Sequence, residues 1–187
     1  ESFAGDDGTT RPPNVTADGR FAVHRGTVHD LVDPARGTWT FAGTAAVAEP
    51  SPDGAFVATV SGESSPMFGG APFALRVFGR GDVRRGPRQL TERVSDCVWS
   101  PAGDRFAWLT LSGLRLVDPE TLRDTVTFAG DWLQVDWIDR AHVLLVGQED
   151  GLTLLRIDDG ERRARLPSGG RWRHLDVAAR GEGELVA

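Results

Sequence analysis

Short apolar runs rich in β-branched and aromatic residues alternate along this chain with clusters of Gly, Pro, Asp and Ser. Phe56-Val57-Ala58-Thr59-Val60 follows Ser51-Pro52-Asp53-Gly54, "RFAWLTL" (105–111) follows "SPAGD" (100–104), and "RFAVH" (20–24) follows "TADG" (16–19). Runs this brief, bounded by turn formers, have the length of strands and not of helices. The one helix-like stretch, "PETLRD" at 119–124, lies between two such runs and reads as a turn. The pattern predicts an all-β chain.

The runs also repeat as larger units. "LVDP" occurs at 31–34 and at 116–119, "TFAG" closes the same two segments at 40–43 and 127–130, and a degenerate copy spans 137–166. Turn boxes begin near Thr16, Ser51, Ser100, Ile138 and Ala178, which divides the chain into units near 16–43, 46–91, 94–130, 132–169 and 171–187. Their spacing varies around the ~40–45 residues of a propeller blade. In the third unit the predicted strands are Ser95–Ser100, Arg105–Thr110, Leu114–Asp118 and Asp124–Ala129. A four-stranded antiparallel sheet with two apolar faces must stack on another like itself. Trp99 and Trp137 hold one place relative to their turn boxes, and Phe21, Phe56 and Phe106 hold a second. Aromatics repeated at equivalent places are expected to pack between units.

Composition narrows the function classes. Of 187 residues, 40% are hydrophobic and 26% charged, ordinary values for a globular protein. The net charge of −6 argues against a nucleic-acid-binding face, which needs positive surface. All 21 basic residues are Arg, in keeping with a GC-rich genome. With Cys97 as the single cysteine there is no intramolecular disulfide, and no apolar run reaches the length of a membrane span. Residues 1–15 are polar and punctuated by Gly and Pro, as in a linker or weakly ordered arm. The start at Glu1 is expected of a chain whose leader has been removed or of a piece cut from something larger.

"SPDG" before an apolar strand, then a hairpin, an "LVDP"-like strand and an outer strand ending in "QLT" (89–91) resembles the TolB-type, WD-repeat-like β-propellers of bacteria. The resemblance covers about 46–169. It departs from the eukaryotic WD-repeat pattern, lacking a Gly-His opening and a Trp-Asp close in any unit. It implies an all-β propeller of four-stranded antiparallel blades, with three clear blades and partial units at both ends. The first unit lacks a clear innermost strand, and the last stops after what would be its second, so the expectation is a part of a larger propeller. With the polar start, the resemblance leans toward an extracytoplasmic bacterial setting, periplasmic or secreted.

In such folds the hairpins joining second and third strands share one face with the loops between blades. The longest of these hairpins here, "SGESSPMFGGAP" at 61–72, carries Met67 and Phe68, soft apolar groups suited to partner contact. Equivalent turns hold Arg25, Ser112, Glu149 and Asp150, and interblade loops hold Arg93 and Asp131. These eight residues form the expected binding face. Arginines cluster at 80–88 and 162–173, where they are expected to solubilise outer edges and discourage edge pairing, the alternative being to dock an acidic partner or anionic lipid head groups.

No catalytic, metal or cofactor site is expected. His24 and His29 flank a tight turn without a third zinc ligand, Cys97 lies inside a predicted inner strand, and no Gly-x-Ser-x-Gly elbow occurs. Asp96 and Asp136, both on innermost strands, are expected to be polar lining of a channel. The expected function is a non-enzymatic scaffold whose loop face binds a protein or ligand. Its partner is another protein, or further blades from the rest of the chain or a second chain. The alternatives are the propeller portion of a prolyl-oligopeptidase-like hydrolase and a self-assembling structural module.

Overall fold

The computed structural model describes residues 14–16, 18–41, 47–62, 73–81, 83–147, 151–166, 178–180 and 184–186. They form strands and turns, with a single 3-10 turn at Pro34–Arg36. The backbone divides into two compact units, Glu1–Leu90 and Thr91–Ala187.

The first unit holds two four-stranded antiparallel sheets, each an up-and-down meander. One is formed by β1 (Asn14–Val15), β2 (Phe21–His24), β3 (Thr27–Asp30) and β4 (Trp39–Thr40). The other is formed by β5 (Val47–Pro50), β6 (Phe56–Gly62), β7 (Phe73–Gly79) and β8 (Val83–Leu90). Asn14 and Val15 stand at the end of the polar arm in the sequence reading. They pair with Val23 and Ala22 and supply the innermost strand that the first unit lacks by pattern alone. Two residues are too few to show an alternation, so the strand is visible only through its partner.

The second unit repeats the plan. One sheet is β9 (Val94–Trp99), β10 (Phe106–Thr110), β11 (Gly113–Val117) and β12 (Asp124–Ala129). The next is β13 (Trp132–Trp137), β14 (His142–Gly147), β15 (Gly151–Arg156) and β16 (Arg162–Leu166), and the hairpin of β17 (Ala178–Arg180) and β18 (Glu184–Val186) follows. The 119–124 stretch is a turn, with Leu122 at φ 56°.

Hydrogen bonding explains why the turn box recurs. Before β6, the buried Ser51 donates its hydroxyl to Asp53 Oδ1 at 2.6 Å and accepts the Phe56 N–H at 2.9 Å. Asp53 Oδ1 also accepts the Ala55 N–H, and the Ser51 and Phe56 backbones pair across the turn. Thr16, Asp18 and Phe21 make the same set before β2. Before β10 the carboxylate comes from Asp104, two positions later, and still receives the Ser100 hydroxyl at 2.7 Å. Gly19, Gly54 and Gly103 close the three turns at φ 71°, 66° and 70°, a backbone region that disfavours side chains. The phrase is a self-satisfied corner joining first and second strands.

The repeated "LVDP" is not one structure. Leu116 and Val117 end β11 and are wholly buried, whereas Leu31 and Val32 follow β3 and are 52% and 73% exposed. What recurs is an aspartate turn. Asp30 Oδ1 accepts the Val32 and Asp33 amides, and Asp118 Oδ1 those of Glu120 and Thr121. The tetrapeptide therefore sits out of register between the two sheets.

Each unit buries the apolar faces of its sheets against one another. In the first, Phe21, Val23 and Val28 meet Val57, with Trp39, Phe41 and Ala48 packed around them. In the second, Ala107, Leu109, Leu114 and Leu116 face Trp132, Val135, Trp137, Val143 and Leu145. The inner strand of the later sheet packs on the first two strands of the earlier one in both units, β5 on β1 and β2, β13 on β9 and β10. Side chains also cross between sheets. Trp137 Nε1 donates to the Val98 carbonyl at 3.2 Å, Asp96 Oδ2 accepts the Val135 N–H at 3.1 Å, and Trp39 Nε1 donates to the Gly54 carbonyl at 2.9 Å. Trp99, Phe21 and Phe106 are buried as expected. Phe56 is the exception, half-buried beneath the Arg85 guanidinium at 5.0 Å.

Candidate binding surfaces on loops and outer strands

In the second unit, Gly113 pairs with Ala129 and Thr110 with Val94. That pairing brings the β10–β11 turn, the Thr91–Arg93 segment before β9 and the Gly130–Asp131 loop to one end of the sheet. Three of the expected face residues, Ser112, Arg93 and Asp131, therefore share that end, and all are exposed.

The grouping is fastened by Glu92. Its carboxylate accepts the Ser112 N–H at 3.1 Å and the Ser112 hydroxyl at 3.0 Å, and pairs with Arg115 Nη2 at 3.1 Å. Arg115 Nη1 reaches Asp124 Oδ2 at 3.1 Å, and Thr110 Oγ1 lies 3.0 Å from Ser112 Oγ. The Ser112 hydroxyl, then that of Thr110, holds the Glu92 carboxyl below its ordinary range; partial burial opposes them, and the Ser112 amide and Arg115 assist. Leu111, at the turn's tip, is 84% exposed. Sequence reading finds Ser112 by its place in the repeat but misses Glu92, Leu111 and Arg115, because Glu92 and Ser112 lie 20 residues apart and no motif links them.

In the first unit, Arg25 occupies the β2–β3 turn, exposed, at φ 48°. Met67, Phe68, Glu149 and Asp150 lie outside the described residues. His24 pairs with Thr27 and His29 with Ala22, so the two imidazoles are not cross-strand partners. Among the described residues, no three or more of His, Cys, Asp and Glu are gathered as a metal would need. Cys97 is buried in β9.

Asp96 and Asp136 do not hold equivalent places. β9 and β13 share one order of buried and exposed positions, which aligns Asp96 with Gln134 and Asp136 with Val98. Both carboxylates are engaged with backbone: Asp96 with the amides of Val135 and Cys97, Asp136 with that of Trp137.

Of the arginine clusters, Arg84, Arg85 and Arg88 lie on β8 and Arg162, Arg163 and Arg165 on β16, the last strands of their sheets. Arg80 lies in the β7–β8 turn, and Arg171 and Arg173 lie outside the described residues. Arg84 lies over the Phe78 ring at 5.7 Å and Arg162 over the Trp132 ring at 5.5 Å. Beside β8 runs a cleft of ≈ 440 Å³, bounded by β4 and the β7–β8 hairpin. Its walls include Thr38, Trp39, Phe41, Phe78, Val83 and Arg84. Phe41 stacks on Phe78 at 5.2 Å, and Trp39 tilts against Phe41 at 6.2 Å. Sequence reading missed this cleft; the only trace is the alternation "TWTF" at 38–41, which places two aromatics on one side of an outer strand.

The meander blades, their stacking and their repeated corner turns make the chain a β-propeller protein in fold. Solved structures agree. The β-propeller domain of Cps50 (Swd1) from Myceliophteria thermophila is similar with a TM-score of 0.56 at 15% identity, over 84% of this chain and 59% of that one. The dihydro-heme d1 dehydrogenase NirN in complex with DHE is similar with a TM-score of 0.55 at 19% identity, over 86% of this chain and 37% of that one. The chain thus spans less than two thirds of either neighbour's length, and the likeness is one of fold. No family model and no curated protein matches the chain. Among the described residues, no helix is long and apolar enough to cross a membrane.

Proposed function

We propose that this chain is a non-enzymatic scaffold of the TolB-like bacterial kind that binds another protein through the turn-and-loop ends of its blades. The observation that carries the reading is the Glu92 clamp. By holding both the amide and the hydroxyl of Ser112, it joins the segment before β9 to the β10–β11 turn as one ordered surface. Arg93, Leu111 and Asp131 are exposed there, two charges of opposite sign around an apolar tip. A surface ordered in advance loses less conformational freedom on binding than a loose one, and exposed loops on rigid scaffolds are where recognition concentrates. Arg25 occupies the matching turn of the first unit. The TolB-like assignment rests on the "SPDG" corner and the "QLT" ending, and the corner's hydrogen bonds give it a structural reason to recur.

The test is affinity capture with the purified chain as bait in a lysate of the source organism. Leu111→Asp with Arg93→Glu should reduce recovery of the bound partner by about tenfold, as loss of a central contact does, and Arg25→Glu asks the same of the first unit. Arg123→Glu, on the exposed β11–β12 connection, serves as control. Recovery unchanged by the loop variants, or lost equally in the control, overturns the assignment.

A further inference from the structure

We propose that the aromatic cleft between β4 and the β7–β8 hairpin is a docking site for an extended acidic segment of a partner protein, distinct from the loop ends and independent of their role. Three observations converge on this occupant.

The first is the wall chemistry. Trp39, Phe41 and Phe78 wall the cleft. Phe78 is buried, stacked on Phe41 and lying under Arg84, and Trp39 Nε1 is spent on the Gly54 carbonyl, so the half-buried Trp39 and Phe41 offer their accessible parts to the ligand. Such rings favour an apolar or aromatic side chain laid against them. At ≈ 440 Å³ the cleft has room for one or two such groups, within the range of about 300–1,000 Å³ usual for ligand clefts.

The second is charge. Among the described residues lining the cleft, the ionisable one is Arg84, exposed and stacked on Phe78. Arg80, on the same β7–β8 hairpin, is exposed as well, on a chain whose net charge is −6. A local positive patch on an acidic protein selects carboxylates and disfavours basic partners.

The third is the backbone. β4 is the last strand of its sheet, so among the described residues the side away from β3 is an open edge. Phe41 N–H donates to the Gly26 carbonyl, and Trp39 lies opposite Val28 two residues along. Alternation therefore turns the Thr40 N–H and C=O away from β3, and Thr40 is itself one of the cleft's lining residues. An extended chain can take both groups as it lays a side chain on the rings, the strand-addition mode of peptide recognition.

The experiment uses the full chain and fluorescence anisotropy with a labelled peptide, Ac-SSEFDSS-amide, beside its basic counterpart Ac-SSKFKSS-amide. The acidic peptide should saturate and the basic one bind at least about tenfold more weakly. Arg84→Glu should weaken the acidic peptide by about tenfold and partly restore the basic one. Thr40→Pro removes the edge N–H where an outer strand tolerates proline, and should weaken binding by about threefold. Unchanged unfolding midpoints of both variants tie these losses to the site. The proposal falls if neither peptide binds at millimolar concentration, if both bind alike, or if Arg84→Glu changes nothing. It also falls if N-acetylphenylalanine binds as tightly as the peptide, since the cleft is then a small-molecule site.

Discussion

Replacing Ser51 by Ala tests whether the corner turn holds the blade together. The hydroxyl removed is buried, donates to Asp53 Oδ1 at 2.6 Å and accepts the Phe56 N–H at 2.9 Å. Asp53 is exposed and regains water at little cost, whereas the Phe56 N–H loses a well-aligned acceptor in a half-buried place. The expected loss is about 1.5–2 kcal/mol, between a net hydrogen bond and a stranded buried donor. At about 2–4 °C per kcal/mol for a chain of this size, the melting temperature falls by about 3–8 °C. Ser100→Ala is the internal comparison. There the Arg105 N–H is 3.4 Å from the hydroxyl, too long to contribute much, and only the 2.7 Å bond to Asp104 is lost. Its cost should be about 1 kcal/mol or less. Urea unfolding followed by tryptophan fluorescence and circular dichroism measures both, and a Ser51/Asp53 double-mutant cycle isolates their coupling. A Ser51→Ala variant within about 0.5 kcal/mol of wild type, or a costlier Ser100→Ala, would falsify this account of the repeat.

Three further outcomes are expected. Gly54→Ala places a Cβ 2.4 Å from ring carbons of the buried Phe21, at φ 66°. Overpacking and backbone strain together should cost about 2–4 kcal/mol in the same urea assay, and a neutral result contradicts the close approach. Trp137→Phe removes the bond to Val98 and leaves a partial void between sheets; a loss of about 1–3 kcal/mol is expected, and calorimetry checks it. Acid sensitivity follows from Asp104 and Asp139. Burial raises their pKa values, but hydrogen bonds from Ser100 and Arg105 to the first, and from Ala141 and His142 to the second, outweigh it and leave both depressed. Depressed carboxylates stabilise the fold above their unfolded pKa, and that contribution disappears as pH drops below about 4 through the folded values. Asp104→Asn with Asp139→Asn should flatten the acid limb of stability against pH, and an unaltered limb refutes the assignment.

Much of the strand plan is legible in the residues. The third unit shows why: Asp124–Ala129 has the predicted bounds and β10 differs by one residue, because apolar runs end where Gly, Asp and Pro permit a turn. Words proved less reliable than patterns. "LVDP" is buried strand in one place and exposed loop in another, since four residues fix neither register nor neighbours. The proposed binding face is half legible: Ser112 follows from its place in the repeat, while its clamp to Glu92 depends on a contact 20 residues away.

Local chemistry thus determined the class of fold, the repeat and its corner turns, because periodicity and turn preference act within a few residues. Tertiary structure alone decided that Asn14 and Val15 complete a sheet, that Asp96 and Asp136 are not equivalent, and that Trp39, Phe41 and Phe78 wall a cleft beside Arg84. Each of these depends on which segments meet when flat sheets bury their faces, and that pairing is written in no single stretch of the chain.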